Sequence, residues 1–405
     1  MISRWIENSI REGLAYRRGV NLTGARQVGK TTLTEMLRIP NARRFSLDDD
    51  MLRKAAKDDP QGFVMHRPGE TLVIDEIQKA AELLNAIKVV LDSDNSRGQY
   101  LLTGSANLRF AKAVSDSLAG RLGRVRLRSL SLGEIRGNPP RFLATSFSRQ
   151  WASRYGMLDK RDVIRLAFEG GYPEAREMPG TPRRRWFMDY LDDILRKDIR
   201  DVTEIRKLEV LREAAVWMLA HTAQFFTVDE LSEKCGVAKV TVDNYLNALE
   251  SMYLFDRVPA WHKTDYGRVG KRAKWMASDP ALVANVLSWN EEDVYIDGAR
   301  NGKLVETWVY HELAAEADVA GTYEITQYRD RDKHEIDFIV ENDRGETLGI
   351  EVKSGSVSGD DFRHLRWFAG NLAKRQFTGI VLYSGQDVLR FGEGFYAVPL
   401  SAIGA

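Results

Sequence analysis

The residue types with the clearest chemistry stand together at Gly24-Ala25-Arg26-Gln27-Val28-Gly29-Lys30-Thr31-Thr32. Glycines at the first and sixth places let the backbone curl so that several N–H groups point at one anion. The helix predicted to follow offers the positive end of its dipole to the same anion. Lys30 would reach the outer phosphates of a nucleoside triphosphate, and the Thr31 hydroxyl would hold Mg²⁺. The apolar run Leu72-Val73-Ile74 ends in Asp75-Glu76. There Asp75 would bind Mg²⁺ through its water shell, and Glu76 would polarise an attacking water. Two adjacent acids could equally open a helix, where they suit the dipole; a phosphate loop upstream favours the metal. In "YLLTGS", Ser105 is placed to sense the outermost phosphate. Arg121, with Arg124 as second choice, could reach into a neighbouring subunit's site as a planar cation; the plain alternative is a solvated arginine or one on a DNA backbone.

A second constellation lies near the other end, in "HEIDFIVENDRGETLGIEVKSG". Two apolar strands flank a polar turn at Asp343-Arg344-Gly345, which is a hairpin signal. Alternation sets Asp337 opposite in face to Ile336 and Phe338, and sets Glu351 and Lys353 together opposite Val352. Two carboxylates can hold Mg²⁺ against a phosphodiester while a lysine orients the attacking water. Glu-x-Lys alone is a weak signal; Asp337 across the hairpin strengthens it.

These residues need elements to hold them. A short strand over 20–23 and a helix from Thr31 bracket the phosphate loop, and further strands end at Asp75 and Ser105, with a helix over 108–118. Strands alternating with helices predict an α/β class. At 405 residues the chain should divide into about three domains with separate cores. Lys+Arg (59) nearly balance Asp+Glu (58), so any basic surface is local. Cys235 is the only cysteine, which excludes an internal disulfide and a cysteine-rich zinc site. The N-terminal stretch predicts a charged amphipathic helix rather than a signal peptide, and no run of about 18 apolar residues occurs. A cytoplasmic protein without membrane contact is expected.

The motifs "LTGARQVGKTTL", "LVIDEIQ", "LLTGSANL" and "SLAGR" resemble the prokaryotic AAA+-type ATPases that carry a C-terminal domain of uncharacterised function in the PD-(D/E)xK nuclease clan. The resemblance implies a RecA-like P-loop core over 1–138, a helical lid over 139–205 after "NPPRF", a winged-helix domain over 206–292, and a nuclease-like α/β domain over 293–405. It also implies ATP and Mg²⁺ as cofactors and an oligomer, a hexameric ring included. Glu306 falls where that clan has an additional acid. Arg26, Gln27 and Gly170-Gly171-Tyr172-Pro173 fit the family pattern without an assigned chemistry, Arg176 could sense nucleotide from the lid, and Arg183-Arg184-Arg185 could face phosphate or solvent.

The residues themselves say more about 226–278. Thr227 and Glu230 form a capping box, Gly236 a tight turn, and a second helix begins near Ala238, a helix-turn-helix pattern. Two β-segments follow around a loop with Lys263, Arg268, Lys271, Arg272 and Lys274, resembling a wing. Lys239, Thr241, Asn244 and Asn247 would then face a DNA groove and the wing the phosphates, with Asp243 opposing this and a purely structural role as the alternative. The expected function is an ATP-driven protein that moves on or remodels DNA, of helicase or branch-migration type, with an Mg²⁺-dependent nuclease-type end. The alternative is an ATP-controlled oligomeric switch or DNA-binding regulator.

Overall fold

The computed structural model describes residues 2–104, 118, 120–197, 207–262, 272–373 and 375–405. Strands β1 (Gly19–Thr23), β2 (Ala42–Ser46), β3 (Thr71–Asp75), β4 (Tyr100–Gly104) and β5 (Leu122–Arg126) form one parallel sheet in the order β2-β3-β4-β1-β5. Both β3 and β4 are buried at every position, as expected of strands covered on both faces. Alternation sends neighbouring side chains to different cores. Val20, Leu22, Val73 and Leu101 meet Ile10 of α1 (Glu7–Tyr16) and Leu33 of α2 (Lys30–Met36). Leu72, Ile74, Tyr100 and Leu102 meet Leu84, Ile87 and Leu91 of α3 (Leu83–Ser93). Because β4 lies between β1 and β3, the phosphate loop, Thr103 and Asp75 share the carboxyl edge of the sheet, where α/β proteins place their ligands.

Beyond the sheet come α4 (Leu132–Arg136) and α5 (Gly180–Lys197), then α6 (Leu208–Ala220), α7 (Val228–Cys235) and α8 (Lys239–Ser251). The Thr227–Glu230 capping box forms, and Gly236 ends α7 with a left-handed φ of 63°. Strands β6 (Phe255–Val258) and β7 (Lys274–Ala277) pair antiparallel. Lys263, Arg268 and Lys271 lie outside the described residues, as do Ser105 and the helix expected over 108–117.

The long α9 (Gly298–Ala320) leads into a sheet of β8 (Tyr323–Arg329), β9 (Glu335–Asn342), β10 (Thr347–Val352), β11 (Phe377–Tyr383), β12 (Leu389–Arg390) and β13 (Phe395–Pro399), ordered β12-β13-β11-β10-β9-β8. The expected hairpin is β9–β10, with Gly345 at φ 72° in its turn. One face packs Ile336, Ile339 and Val381 on Leu365 and Phe368 of α10 (Arg363–Asn371). The other packs Phe338, Val340, Ile350 and Leu382 into the core that α9 shares.

Among the described residues the hydrophobic side chains form three clusters, one against α3, one under α10, and a larger one that runs from Ile6 to Ile403 and is shared by the front sheet, the middle helices and the back sheet. The reason is α9. Every residue from Thr307 to Ala317 is buried, so the helix is covered on all sides by different parts of the chain. Its polar groups receive the strand that leaves the front sheet. Glu312 accepts Leu132 N–H at 3.0 and 2.9 Å, and Glu316 accepts Phe142 and Leu143 N–H at 2.9 and 2.8 Å. Both carboxylates thus cap helix starts whose N–H groups lack intrahelical partners. Arg128 sits between Asp318 (2.6 Å) on α9 and Asp256 (2.5 Å) on β6; Tyr310 donates to the same Asp256 oxygen at 2.9 Å, and Arg126 reaches the other at 2.8 Å. Burial alone would raise the Asp256 pKa, but the two guanidiniums outweigh it and hold the carboxyl well below its usual range.

Asp256→Ala would leave two buried or half-buried arginines short of their counter-charge, so calorimetry should show about 3–5 kcal/mol of lost stability. Glu316 supplies a pH dependence of the opposite kind. Burial pushes its pKa up to about 7 against the backbone N–H bonds that lower it. The folded state therefore binds more protons than the unfolded between about pH 4.5 and 7, and stability falls as pH rises through that window. Removing the carboxyl with Glu316→Gln should flatten that part of the stability-against-pH curve, by at most about 3 kcal/mol.

Candidate functional site

Gly24 takes φ 153°, and a Cβ there would lie 2.2 Å from the Leu127 carbonyl oxygen, so the loop leaves β1 along a path that only glycine permits. Gln27 and Gly29 also have positive φ (60° and 97°), which turns the backbone into the expected cradle ahead of α2. The Lys30 ammonium donates to the carbonyls of Gly24 (3.0 Å) and Ala25 (2.7 Å) and bridges the loop it belongs to. Arg4 braces the loop from outside, donating to Val28 O at 2.9 Å and Arg128 O at 2.7 Å while pairing with Glu134 at 3.1 Å.

Beside the loop, Thr31 donates its hydroxyl to Asp75 at 2.8 Å, and Thr103 donates to the other Asp75 oxygen. Three elements therefore converge on one carboxylate: the start of α2, the end of β3 and the end of β4. Glu76 follows with a left-handed φ of 57°, its N–H on the Thr103 hydroxyl at 3.3 Å and its carboxylate bonded by Gln78. The loop faces a cavity of about 890 Å³ that residues 26–33, Met36 and Glu76 share with Arg176, Trp186, Asp189, Tyr190 and Asp193. Tyr190 of α5 donates to Arg26 O at 3.2 Å, and its ring stacks on Trp186 at 5.0 Å, so α5 covers the loop with aromatic rings.

Among the basic candidates, Arg121 pairs with Asp92 of α3 at 2.6 Å, and Arg124 is exposed. Arg176 lines the cavity but is tied to Gly170 O (2.6 Å) and Glu169 (3.0 Å). The triple arginine does not act as a patch. Arg183 donates to Ala175 O (3.2 Å) and Met178 O (2.7 Å), Arg184 donates to Trp289 O (3.2 Å), and only Arg185 is exposed. On α8, Lys239, Asn244 and Asn247 are exposed as expected, Thr241 is half-buried, and Asp243 and Val240 share the exposed face. Lys239 pairs with Asp229 at 2.8 Å.

In the back sheet, the β9–β10 register places Asp337 opposite Glu351, and Asp337 accepts Val352 N–H at 2.8 Å. Glu306 approaches from α9, as expected. The cation among them is not. Lys274 of β7, expected to face phosphate on a wing, is 1% exposed, with its ammonium 2.6 Å from Glu306 and 3.8 Å from Asp337. Its position on a short strand paired to β6 turns its side chain inward rather than toward the loop. Lys353, expected to work with Glu351, lies 3.7 Å from Asp361 and is 42% exposed, and its charge also lowers the pKa of Glu351. Burial and the neighbouring Asp337 push the Glu306 pKa up to about 8 and that of Glu351 well above its ordinary value. The expected metal set of Glu306, Asp337 and Glu351 does not converge as ligands. Among the described residues the group whose ligand atoms come within 4.8 Å of one another is Asp330, Asp332 and His334, in the β8–β9 turn, where His334 bonds Asp330 and stacks on Trp367.

Residues 16–136 match the family described as an AAA domain. Residues 160–293 and 301–403 match two families described as domains of unknown function, DUF8612 and DUF4143. The chain is similar to an uncharacterized protein of Mycobacterium tuberculosis, 23% identical over 389 residues that cover 95% of this chain and 80% of the relative. It is also similar to an uncharacterized protein of Methanocaldococcus jannaschii, 25% identical over 393 residues that cover 88% of this chain and 78% of the relative. Among solved structures, AMPPCP-bound DnaA from Aquifex aeolicus is 12% identical with a TM-score of 0.28, over 60% of this chain and 86% of that one. Drosophila ORC bound to DNA is 13% identical with a TM-score of 0.25, over 70% and 94%. Among the described residues, no helix is long and apolar enough to cross a membrane.

Around the phosphate loop the sequence reading missed Thr103, Arg4 and Tyr190. Thr103 comes two places before Ser105 in sequence, a spacing that alternation assigns to one face, so two polar residues competed for the same role. Arg4 and Tyr190 come from segments far away in the chain and carried no local signal. Gly24→Ala should lower the thermal midpoint by several degrees, roughly 1–3 kcal/mol, because the loop must then leave the Leu127 carbonyl. An unchanged midpoint would mean that the close approach is not real.

Proposed function

We propose that the protein binds and hydrolyses Mg-ATP in the cavity between the phosphate loop and α5, and that the nucleotide state acts on DNA held by α8 and the β6–β7 hairpin. What carries the first half is the convergence of Thr31, Asp75 and Thr103 beside a loop already curled by Gly24 and Gly29. A hydroxyl and a carboxylate are hard oxygen donors, a donor set that suits Mg²⁺. Thr31 and Asp75 would hold that ion, which when bound neutralises charge on the transferring phosphate. Lys30 is bridged to loop carbonyls and has only to turn outward to meet the β- and γ-oxygens. Thr103 keeps Asp75 in one rotamer, and Glu76 is placed to accept a proton from the attacking water. Trp186 and Tyr190 give the cavity an apolar wall against which an adenine ring can stack. Arg121 would have to leave Asp92 before it could serve a neighbouring subunit's site.

Support for the DNA half is the exposed row Lys239, Asn244 and Asn247 on α8, the type of side chains that reach phosphates and base edges. The shared core and the α9 clamp favour a second reading, in which the cycle is a switch that changes partner or subunit contacts. The C-terminal segment is read as nuclease-like in layout, from Asp337 opposite Glu351 with Glu306 beside them.

Lys30→Ala should reduce ATP turnover by roughly a hundredfold, as expected when a group that stabilises transition-state charge is lost. Thr103→Val should cost about tenfold while leaving nucleotide affinity nearly unchanged, since it loosens Asp75 without removing it. Turnover measured with duplex, forked and four-way DNA separates the two readings. Stimulation by any of them supports work on DNA. If none stimulates and Glu76→Gln leaves DNA association unchanged, that half is wrong and the switch stands.

A further inference from the structure

Lys274 is an unusual residue to bury. It belongs to β7, in the hairpin that follows α8, yet its ammonium lies in the back sheet's carboxylate cluster. Aromatic rings close the remaining sides, with Phe225 at 5.5 Å and Phe338 at 5.9 Å from the nitrogen. Three carboxyl groups, Glu306, Asp337 and Glu351, come from α9, β9 and β10, all half-buried, and acids crowded together favour a cation among them. In an open phosphodiester-cleaving site that cation is a divalent metal, and the acids close to about 2–2.6 Å around it. Here they stand around a lysine instead, and their oxygens are not gathered as ligands.

Resting on the reading of the back sheet as nuclease-like, we propose that Lys274 is a built-in cation that takes the place of a divalent metal in this cluster and keeps the site closed to metal while β7 is docked. An ammonium supplies one charge, three hydrogen-bond donors and no vacant coordination position. It can therefore satisfy Glu306 and Asp337 without being able to activate water. With its ammonium 2.6 Å from Glu306 and 3.8 Å from Asp337, the lysine pairs with both acids in the interior. The closure comes from another segment of the chain, so metal access depends on the β6–β7 hairpin and not on the back sheet alone. Lys353, the lysine of the Glu-x-Lys motif, lies 3.7 Å from Asp361 and acts on Glu351, whereas Glu306 and Asp337 are paired by Lys274.

The test uses the full chain without nucleotide and Mn²⁺ as the probe, followed by calorimetry and by electron paramagnetic resonance. Wild type should show no Mn²⁺ binding that Asp337→Asn removes. Lys274→Met should gain a Mn²⁺ site at least tenfold tighter than anything in wild type, and adding Asp337→Asn should abolish it. Because Lys274→Met leaves buried carboxylates uncompensated, Lys274→Met with Glu306→Gln removes charge of both signs and serves as the second variant; it too should gain the site. Folded variants that bind Mn²⁺ no better than wild type overturn the proposal, as does a wild-type Mn²⁺ site lost in Asp337→Asn. DNA cleavage, assayed in parallel with Mg²⁺, tests the underlying reading separately. Variants that bind Mn²⁺ yet never cut DNA uphold the plug and remove the nuclease. Wild-type cleavage lost in Asp337→Asn upholds the nuclease and removes the plug.

Discussion

A helix buried on every side must find partners for each polar group it carries, and α9 carries Tyr310, His311, Glu312, Glu316 and Asp318 into the interior. The rest of the structure is arranged around meeting that demand. Glu312 and Glu316 take the N–H groups of two helix starts, and Asp318 and Tyr310 join Arg128 and Asp256. His311 accepts or donates at the Ser129 hydroxyl, which also bonds Asp279. Each partner lies in a different stretch of chain. The electrostatic requirement of one helix therefore fixes where the front sheet, the β6–β7 hairpin and the back sheet sit against one another.

Much of the front site could be read from residue order because its chemistry is local. A glycine-flanked loop between a strand and a helix, and an apolar strand ending in Asp75-Glu76, declare their positions through backbone requirements that neighbours in sequence satisfy. The hairpin of β9 and β10 was readable for the same reason, since period-2 alternation and a polar turn set the register that brings Asp337 to Glu351. What escaped were contacts made across the chain. Nothing near Lys274 announces that it turns inward; among Arg272 and neighbouring basic residues it reads as one more wing cation. The basic triplet at Arg183 misled in the same way, because whether an arginine meets phosphate or caps a helix carboxyl end depends on what packs beside it. The burial of α9 was not legible either, since polar residues at its buried positions hide it from a hydropathy pattern.

The two charged sites answer opposite needs with similar parts. In the front one, a lysine lies on its own loop's carbonyls at the wall of a cavity. In the back one, a lysine is held by carboxylates between aromatic rings, contacts that no small ligand can easily replace. The difference lies in the partners and the solvent. Neutral carbonyls at a cavity wall bind an ammonium loosely, whereas half-buried acids bind it as strongly as the site allows.

The hydrophobic cluster that runs from Ile6 to Ile403 also bears on how such a chain can change over generations. Where modules each close their own core, recombination can exchange one for another and leave both ends folded. Here an exchanged front segment would arrive without Leu132, Phe142 and Leu143 in register, and the carboxylates of α9 would face apolar surface. Substitutions on either side must therefore be matched on the other.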